Sequence, residues 1–194
     1  MMNNRVRITE EQLLSDNWYI LKKYTFEYPG NNGQWTTQIR EAYDRGNGVV
    51  ILLYNREKRT IILTRQFRLP VYVNDHPDGM LIEAPAGLLD ENDPTAGVVR
   101  ETEEETGYRI HNARKVMEIY MSPGSVTEKI YFFVAEYNAQ NRVSDGGGIA
   151  DETEDIEVLE LPFNSALQMM ESGEIADGKT VILLQYAALH GLLD

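Results

Sequence analysis

The chain has 194 residues, 42% of them hydrophobic and 25% charged, the make-up of an ordinary folded protein with room for one domain and a small appendage. Its 31 acidic and 18 basic side chains leave a net charge of -13 with no basic patch, which argues against bulk binding of DNA or RNA. Cysteine is absent, which excludes disulfides and thiolate metal sites; with no apolar signal core at the start and no apolar run near the roughly 20 residues of a membrane span, the cytoplasm is the expected location.

In chain order, residues 18–28 and 34–44 are rich in aromatic and β-branched side chains and flank Pro29-Gly30-Asn31-Asn32-Gly33, which predicts a hairpin or meander. After Gly46-Asn47-Gly48 the run VVILLYN reads as a buried strand, with Thr60–Thr64 as its partner and Gly79–Ala84 as a further strand. Pro94–Thr106 reads as a helix, with Asp93 as N-cap, Pro94 in the first helical position and Gly107 as C-cap. Strands follow near 115–121, 129–137 and 156–161, and helices near 163–172 and 178–190. Asp145-Gly146-Gly147-Gly148 reads as a mobile loop. The packing solution for such an order is an α/β fold, a mixed sheet covered by helices on both faces, with the N-terminal strands able to form a small β unit of their own.

The acidic excess is concentrated in two places. Residues 90–105 carry seven acids against one base, residues 145–160 carry seven acids and no base, and the remainder is neutral. The first segment contains Arg100-Glu101-Thr102-Glu103-Glu104-Glu105-Thr106-Gly107. On a helix, residues three and four apart share a face, so Glu101, Glu104 and Glu105 point together and Glu103 points elsewhere. Like charges at that spacing repel, and a hard divalent cation would offset them. A run of this kind is more often a solvated helix face. The upstream stretch Ala84-Pro85-Ala86-Gly87-Leu88-Leu89-Asp90, a strand end and tight turn, reverses that weighting.

With that stretch included, the chain resembles the Nudix hydrolase family. Gly87, Arg100-Glu101, Glu104-Glu105, Gly107 and Tyr108 match its box. There are two departures: the first acid is Asp93, one residue too close to Arg100, and Thr102 stands where the box has a hydrophobic residue. Further segments, Tyr43–Gly48, Arg65-Gln66-Phe67-Arg68, Tyr120–Gly124, Asp155–Leu161 and Asp177-Gly178-Lys179-Thr180, are similar to the branch of the family that cleaves GDP-mannose. Pro123 lies 16 residues after Gly107, a spacing of the neighbouring ADP-ribose branch.

The resemblance implies a Nudix fold over 46–194, an N-terminal antiparallel β unit over 1–45 involved in dimerisation, and Mg²⁺-dependent (or Mn²⁺-dependent) hydrolysis of a nucleoside-diphosphate sugar. GDP-mannose, giving GMP and mannose 1-phosphate, is the first expectation. ADP-ribose is the alternative substrate, a non-catalytic nucleotide-sugar sensor the alternative of another class, and a structural or interaction module a third. By position, Glu101 and Glu105 are implied metal ligands with the Ala86 carbonyl as a third, Glu104 completes the carboxylate cluster, and Arg100 orients it by ion pairing. Glu154, with Glu152 in reserve, is implied as a loop carboxylate serving as metal ligand or general base, and Gly146–Gly148 as the hinge for closure over substrate. Arg68 and Lys179 would hold phosphates, Ala86, Gly87 and Glu128 would touch substrate, and Trp18, Ile39, Arg40 and Glu41 would complete the site of the partner in a homodimer, Trp18 by stacking on guanine.

One motif competes. Gly173–Thr180 satisfies the P-loop pattern, but the segment before it has a helical stripe (Ala166, Leu167, Met169, Met170) rather than a strand, and Glu174 and Asp177 would repel phosphate. A helix ending at Gly173 and another capped by Asp177 is the simpler expectation. His76, His111 and His190 are spread along the chain and lack metal-site spacing.

Overall fold

The computed structural model describes residues 5–89, 93–148 and 155–194. The chain divides into two compact units, one of residues 1–47 together with Ile119–Ile130, the other of Gly48–Glu118 and Tyr131–Asp194.

The first unit is built on a three-stranded antiparallel sheet of β1 (Arg7–Ser15), β2 (Ile20–Pro29) and β3 (Trp35–Asp44), in that order. The expected hairpin is β2–β3, and the turn residues Gly30 and Gly33 close it through the bonds Gly30 N–H to Gln34 O and Gly33 N–H to Gly30 O. β1 is an additional strand whose sequence, RITEEQLLS, has no clean alternation; it pairs with β2 through two register irregularities. Residues of 119–130 join this unit through Tyr43, whose N–H and C=O bond Ser125 O and Thr127 N.

The main sheet has the order β10-β5-β4-β9-β8, with β6 added to β5 and β7 to β4; the strands are β4 (Gly48–Asn55), β5 (Thr60–Phe67), β6 (Met80–Glu83), β7 (Ala86–Leu88), β8 (Arg114–Tyr120), β9 (Lys129–Glu136) and β10 (Glu157–Pro162). It is mixed. β4 is antiparallel to β5 and β7, yet runs parallel to β9, since Lys129 N–H bonds the Asn47 side chain at one end and Tyr137 N–H bonds Tyr54 O at the other. Among the described residues four α-helices accompany the sheet: α1 (Leu69–Val73), α2 (Pro94–Thr106), α3 (Phe163–Ser172) and α4 (Gly178–Leu189). Every residue of β4 is buried, as a strand covered on both faces must be. Its odd-numbered residues Val49, Ile51 and Leu53 pack with Val98 of α2, Tyr108 and Ile110. The alternation of side chains turns Val50 and Leu52 the other way, and α4 also packs on this strand. Among the described residues no helix is long and apolar enough to cross a membrane.

The end of β4 marked by Asn55 carries a polar cluster at the margin of this core. Glu160 accepts from Lys58 Nζ (3.1 Å), Thr60 Oγ1 (2.9 Å) and the Tyr137 hydroxyl (3.0 Å). Burial pushes the Tyr137 hydroxyl well above its ordinary value. Burial also opposes charge on Glu160, but the three donors outweigh it and hold the carboxyl below the usual carboxylate range. A depressed carboxyl stabilises the fold above its unfolded pKa, and the contribution fades as pH falls through the folded one. Because Glu160 is partly exposed, the contribution is about 1 kcal/mol or less. Glu160→Gln should therefore lower the melting temperature by a few degrees at pH 7, with the gap to the parent chain narrowing as pH falls below the ordinary carboxylate range in thermal scans.

Candidate active site

Helix α2 is fixed at both ends. Asp93 is its N-cap, accepting from Thr95 N–H at 2.9 Å, and Pro94 fills the first position. Asp93 thus has a complete structural role as a cap, and the acid that departs from the motif is not part of the glutamate cluster. Thr102, the other departure, is fully buried and satisfies its hydroxyl by donating to Val98 O at 2.6 Å. The polar side chain occupies the apolar position of the motif at no cost of an orphaned group. At the other end Gly107 adopts the left-handed conformation, φ 74°.

Glu103 parts from the other acids of the helix, as the spacing predicts. Glu103 turns away and makes a two-pronged pair with Arg109 (2.7 and 2.8 Å), whose guanidinium holds the Glu103 carboxyl below its ordinary range. Glu101 and Glu104 flank Arg100, which donates to them at 2.8 and 3.0 Å. Glu105 is almost sealed from solvent and accepts from Ala86 N–H at 3.0 Å. Glu101 lies against the next residue, Gly87: a Cβ built there would sit 2.0 Å from the Glu101 carboxyl carbon. Ala86 and Gly87 are paired with Val50 and Val49 in the centre of the sheet, so the turn expected at this place is a short strand, β7, and the glutamates meet a rigid backbone.

The glycine tract is held rather than loose, which corrects the expected mobile loop at Gly146–Gly148. Helices end with carbonyls that have no partner in the helix. Here Glu103 O accepts from Gly107 N–H (2.9 Å), Glu104 O from Gly148 N–H (3.1 Å) and Glu105 O from Gly147 N–H (2.9 Å). The backbones approach so closely that a Cβ on Gly107 would lie 2.3 Å from Ser144 O and one on Gly146 2.5 Å from the Thr106 carbonyl carbon. Ile156 N–H returns to Gly147 O at 3.3 Å. An open cleft of about 890 Å³ runs along the helix between Arg100, Glu103 and Glu104 and the segment Ser144, Gly146 and Gly148. Glu154 and its reserve Glu152 lie outside the described residues.

The two expected phosphate-holding residues meet on a residue that the sequence reading passed over. Glu83, buried at the end of β6, accepts from Arg68 Nε at 2.7 Å with one oxygen and from Lys179 Nζ at 3.3 Å with the other. Lys179 also donates to Asp177 at 2.6 Å. Burial works against the Lys179 charge, but Asp177 and Glu83 together raise its pKa above the ordinary lysine value. Asp177 caps α4 by accepting from Thr180 N–H, Gly173 ends α3 with φ 84°, and the segment before it is helical, so the P-loop-like pattern is a helix-to-helix junction, as expected. The signal for Glu83 was available: a single acid in the apolar run GMLIEA.

The other expected substrate residues fall in the first unit. Arg40 and Glu41 border a cavity of about 630 Å³ with Tyr24, Phe26, Tyr120 and Pro123. Ile39 is exposed on β3, and Trp18, between β1 and β2, is 84% exposed and edge-on to Tyr19. Glu128 is largely covered and lies 3.5 Å from Arg45 Nε.

The carboxylates of Glu101, Glu104 and Glu105 form an all-oxygen donor set, the chemistry that a hard divalent cation selects. Among the described residues no three acids or histidines close into a finished cage; Arg100 supplies the positive charge between Glu101 and Glu104. The residues fit such a cation in donor type.

Residues 5–43 match the family model described as the GDP-mannose pyrophosphatase NudK N-terminal domain, and residues 44–181 match the NUDIX domain. A protein named GDP-mannose pyrophosphatase from Pectobacterium atrosepticum is 55% identical, covering 98% of this chain and 97% of its own. One of the same name from Yersinia enterocolitica is 54% identical over 99% and 100%, and one from Klebsiella pneumoniae 50% over 99% and 96%. A crystal structure titled as an ADP compounds hydrolase shares the fold, with a TM-score of 0.72 at 16% identity over 97% of this chain and 96% of that one.

Two glycine substitutions separate site from scaffold. In Gly87→Ala the nearest atoms that the new methyl meets belong to the flexible side chain of Glu101, so the melting temperature without divalent cation should stay within about 3 °C of the parent while the cation concentration that raises it increases about tenfold or more. In Gly146→Ala the methyl meets main chain at a left-handed φ, and the melting temperature itself should fall by several degrees, about 2 kcal/mol or more.

Proposed function

The chain belongs to the NUDIX family, and from that premise we propose that it hydrolyses the pyrophosphate bond of GDP-mannose, giving GMP and mannose 1-phosphate, with Mg²⁺ as the cation. Activity on nucleoside-diphosphate sugars is supported by relatives that share half or more of its residues over nearly the full length and bear that activity in their names. The single observation that carries the reading is the pairing of Glu101 and Glu105 of α2 with the consecutive backbone positions Gly87 and Ala86 of β7.

Hydrolysis needs water to attack one phosphorus of the anhydride while the other phosphate leaves, and the transition state spreads negative charge over the phosphate oxygens. When bound, a divalent cation neutralises that charge and lowers the pKa of coordinated water. Glu101 and Glu105 would hold it, with the Ala86 carbonyl as third ligand, and Glu104 would complete the carboxylate set. Arg100 keeps Glu101 and Glu104 apart and oriented. Arg68 and Lys179 direct N–H groups at the diphosphate. Glu154 receives the proton of the attacking water or joins the ligand set. Ala86, Gly87 and Glu128 contact substrate. In a homodimer, Trp18, Ile39, Arg40 and Glu41 of each chain complete the site of the other; exposed apolar side chains on the first unit, among them Ile8, Leu13, Trp18, Trp35 and Ile39, support such a pairing. The cytoplasm is the proposed location.

Incubation with a panel of nucleotide sugars and Mg²⁺ in H₂¹⁸O tests the assignment. GDP-mannose should be turned over fastest, the label should appear in one product only, and chelation of divalent cations should abolish the reaction. No turnover of any member would remove the enzymatic reading, and preference for ADP-ribose would remove the substrate. Glu154→Gln should lose about 10²-fold or more in kcat with KM within about threefold, in steady-state kinetics; normal turnover would exclude Glu154 from the mechanism.

A further inference from the structure

Glu83 makes a carboxylate almost inaccessible to water, an arrangement that costs several kcal/mol unless it is paired. One cation would satisfy that need. Glu83 has two, on different oxygens, brought from β5's end and from the first turn of α4. The second carboxylate, Asp177, is held by Thr180 N–H (2.9 Å) and Oγ1 (2.7 Å), and Thr180 Oγ1 accepts from Ala84 N–H at 2.6 Å. The two cations are therefore referenced to the same strand end that leads into Ala86 and Gly87.

The quartet Arg68, Lys179, Glu83 and Asp177 is neutral, so it offers a phosphate direction rather than net charge. Arg68 has five N–H donors and spends Nε on Glu83; its side chain is 38% exposed. Lys179 has three and spends two, with 19% of its side chain open. Glu83 is buried while both cations keep part of their side chains exposed and have donors to spare.

We infer that Glu83 is a positioning residue: its carboxylate, divided between Arg68 and Lys179, sets the two cations at one spacing for the diphosphate of the substrate. This rests on the reading that Arg68 and Lys179 receive that diphosphate.

The test is steady-state kinetics on GDP-mannose at saturating Mg²⁺ for Glu83→Gln, Glu83→Asp, Arg68→Ala, Lys179→Ala and the double variant Glu83→Gln/Arg68→Ala, with thermal melting of each. Glu83→Gln is expected to raise KM about tenfold with kcat within about threefold. The double variant should lose less than the sum of the two single losses, because the part of the Glu83→Gln loss that acts through Arg68 is already gone, while the part that acts through Lys179 remains. Glu83→Asp keeps the charge but is too short to reach both cations, and should also raise KM. A lower melting temperature with unchanged KM in the glutamate variants, or fully additive losses in the double variant, would overturn the inference while leaving the cations as phosphate contacts. Unchanged KM in both Arg68→Ala and Lys179→Ala would overturn the phosphate-contact reading and the inference with it. Should Glu83→Gln fail to fold, Glu83→Asp alone decides, an unchanged KM counting against the proposal.

Discussion

The structure turns on the hydrogen bond from Ala86 N–H to the buried carboxylate of Glu105. A carboxylate out of water must be satisfied, and the strand amide satisfies it while tying α2 to β7. β7 is itself bound to β4, whose every residue is buried, so the glutamates are referenced to the stiffest part of the molecule. Gly87 is the second half of this constraint, since only a residue without a side chain lets Glu101 lie against the strand one position further on. Helix and strand thus fix between them two of the carboxylates proposed to hold the cation.

Around this junction the charge excess is handled in layers. Arg100 separates Glu101 from Glu104, Arg109 draws Glu103 to another face, and Glu83 and Asp177 are matched by Arg68 and Lys179. The paired acids are neutralised within the fold. The local excess of carboxylates on α2 is what the proposed cation would balance, and the strongly negative sequence average is the sum of this arrangement and of a second acidic segment, 145–160, part of which lies outside the described residues.

Much of this was legible in the sequence, for identifiable reasons. Asp93, Pro94 and Gly107 bound α2 at the expected residues because capping chemistry is local. The apolar run of β4 and the turn before β3 were equally readable. β1 was not, because its side chains are mostly exposed and polar and its register is irregular. β7 was not, because three residues carry no periodicity and the strand exists only by pairing with β4. The glycines at 146–148 read as freedom and proved to be contact, since what fixes them is main chain some 40 residues away in sequence, which no local rule sees. Glu83 was passed over because an acid near a strand end looks like a solvated residue until its two partners, from β5's end and α4, are in view.

The three glycine amides that finish α2 have a further consequence. Gly147 both donates to the helix and accepts from Ile156, so the chain departs from this point and comes back to it. The last turn of α2 and the residue that precedes β10 are therefore fastened to the same glycine. Gly147 thus couples the glutamate helix to the approach to β10 by main chain alone, a coupling that side-chain substitutions in either element leave in place.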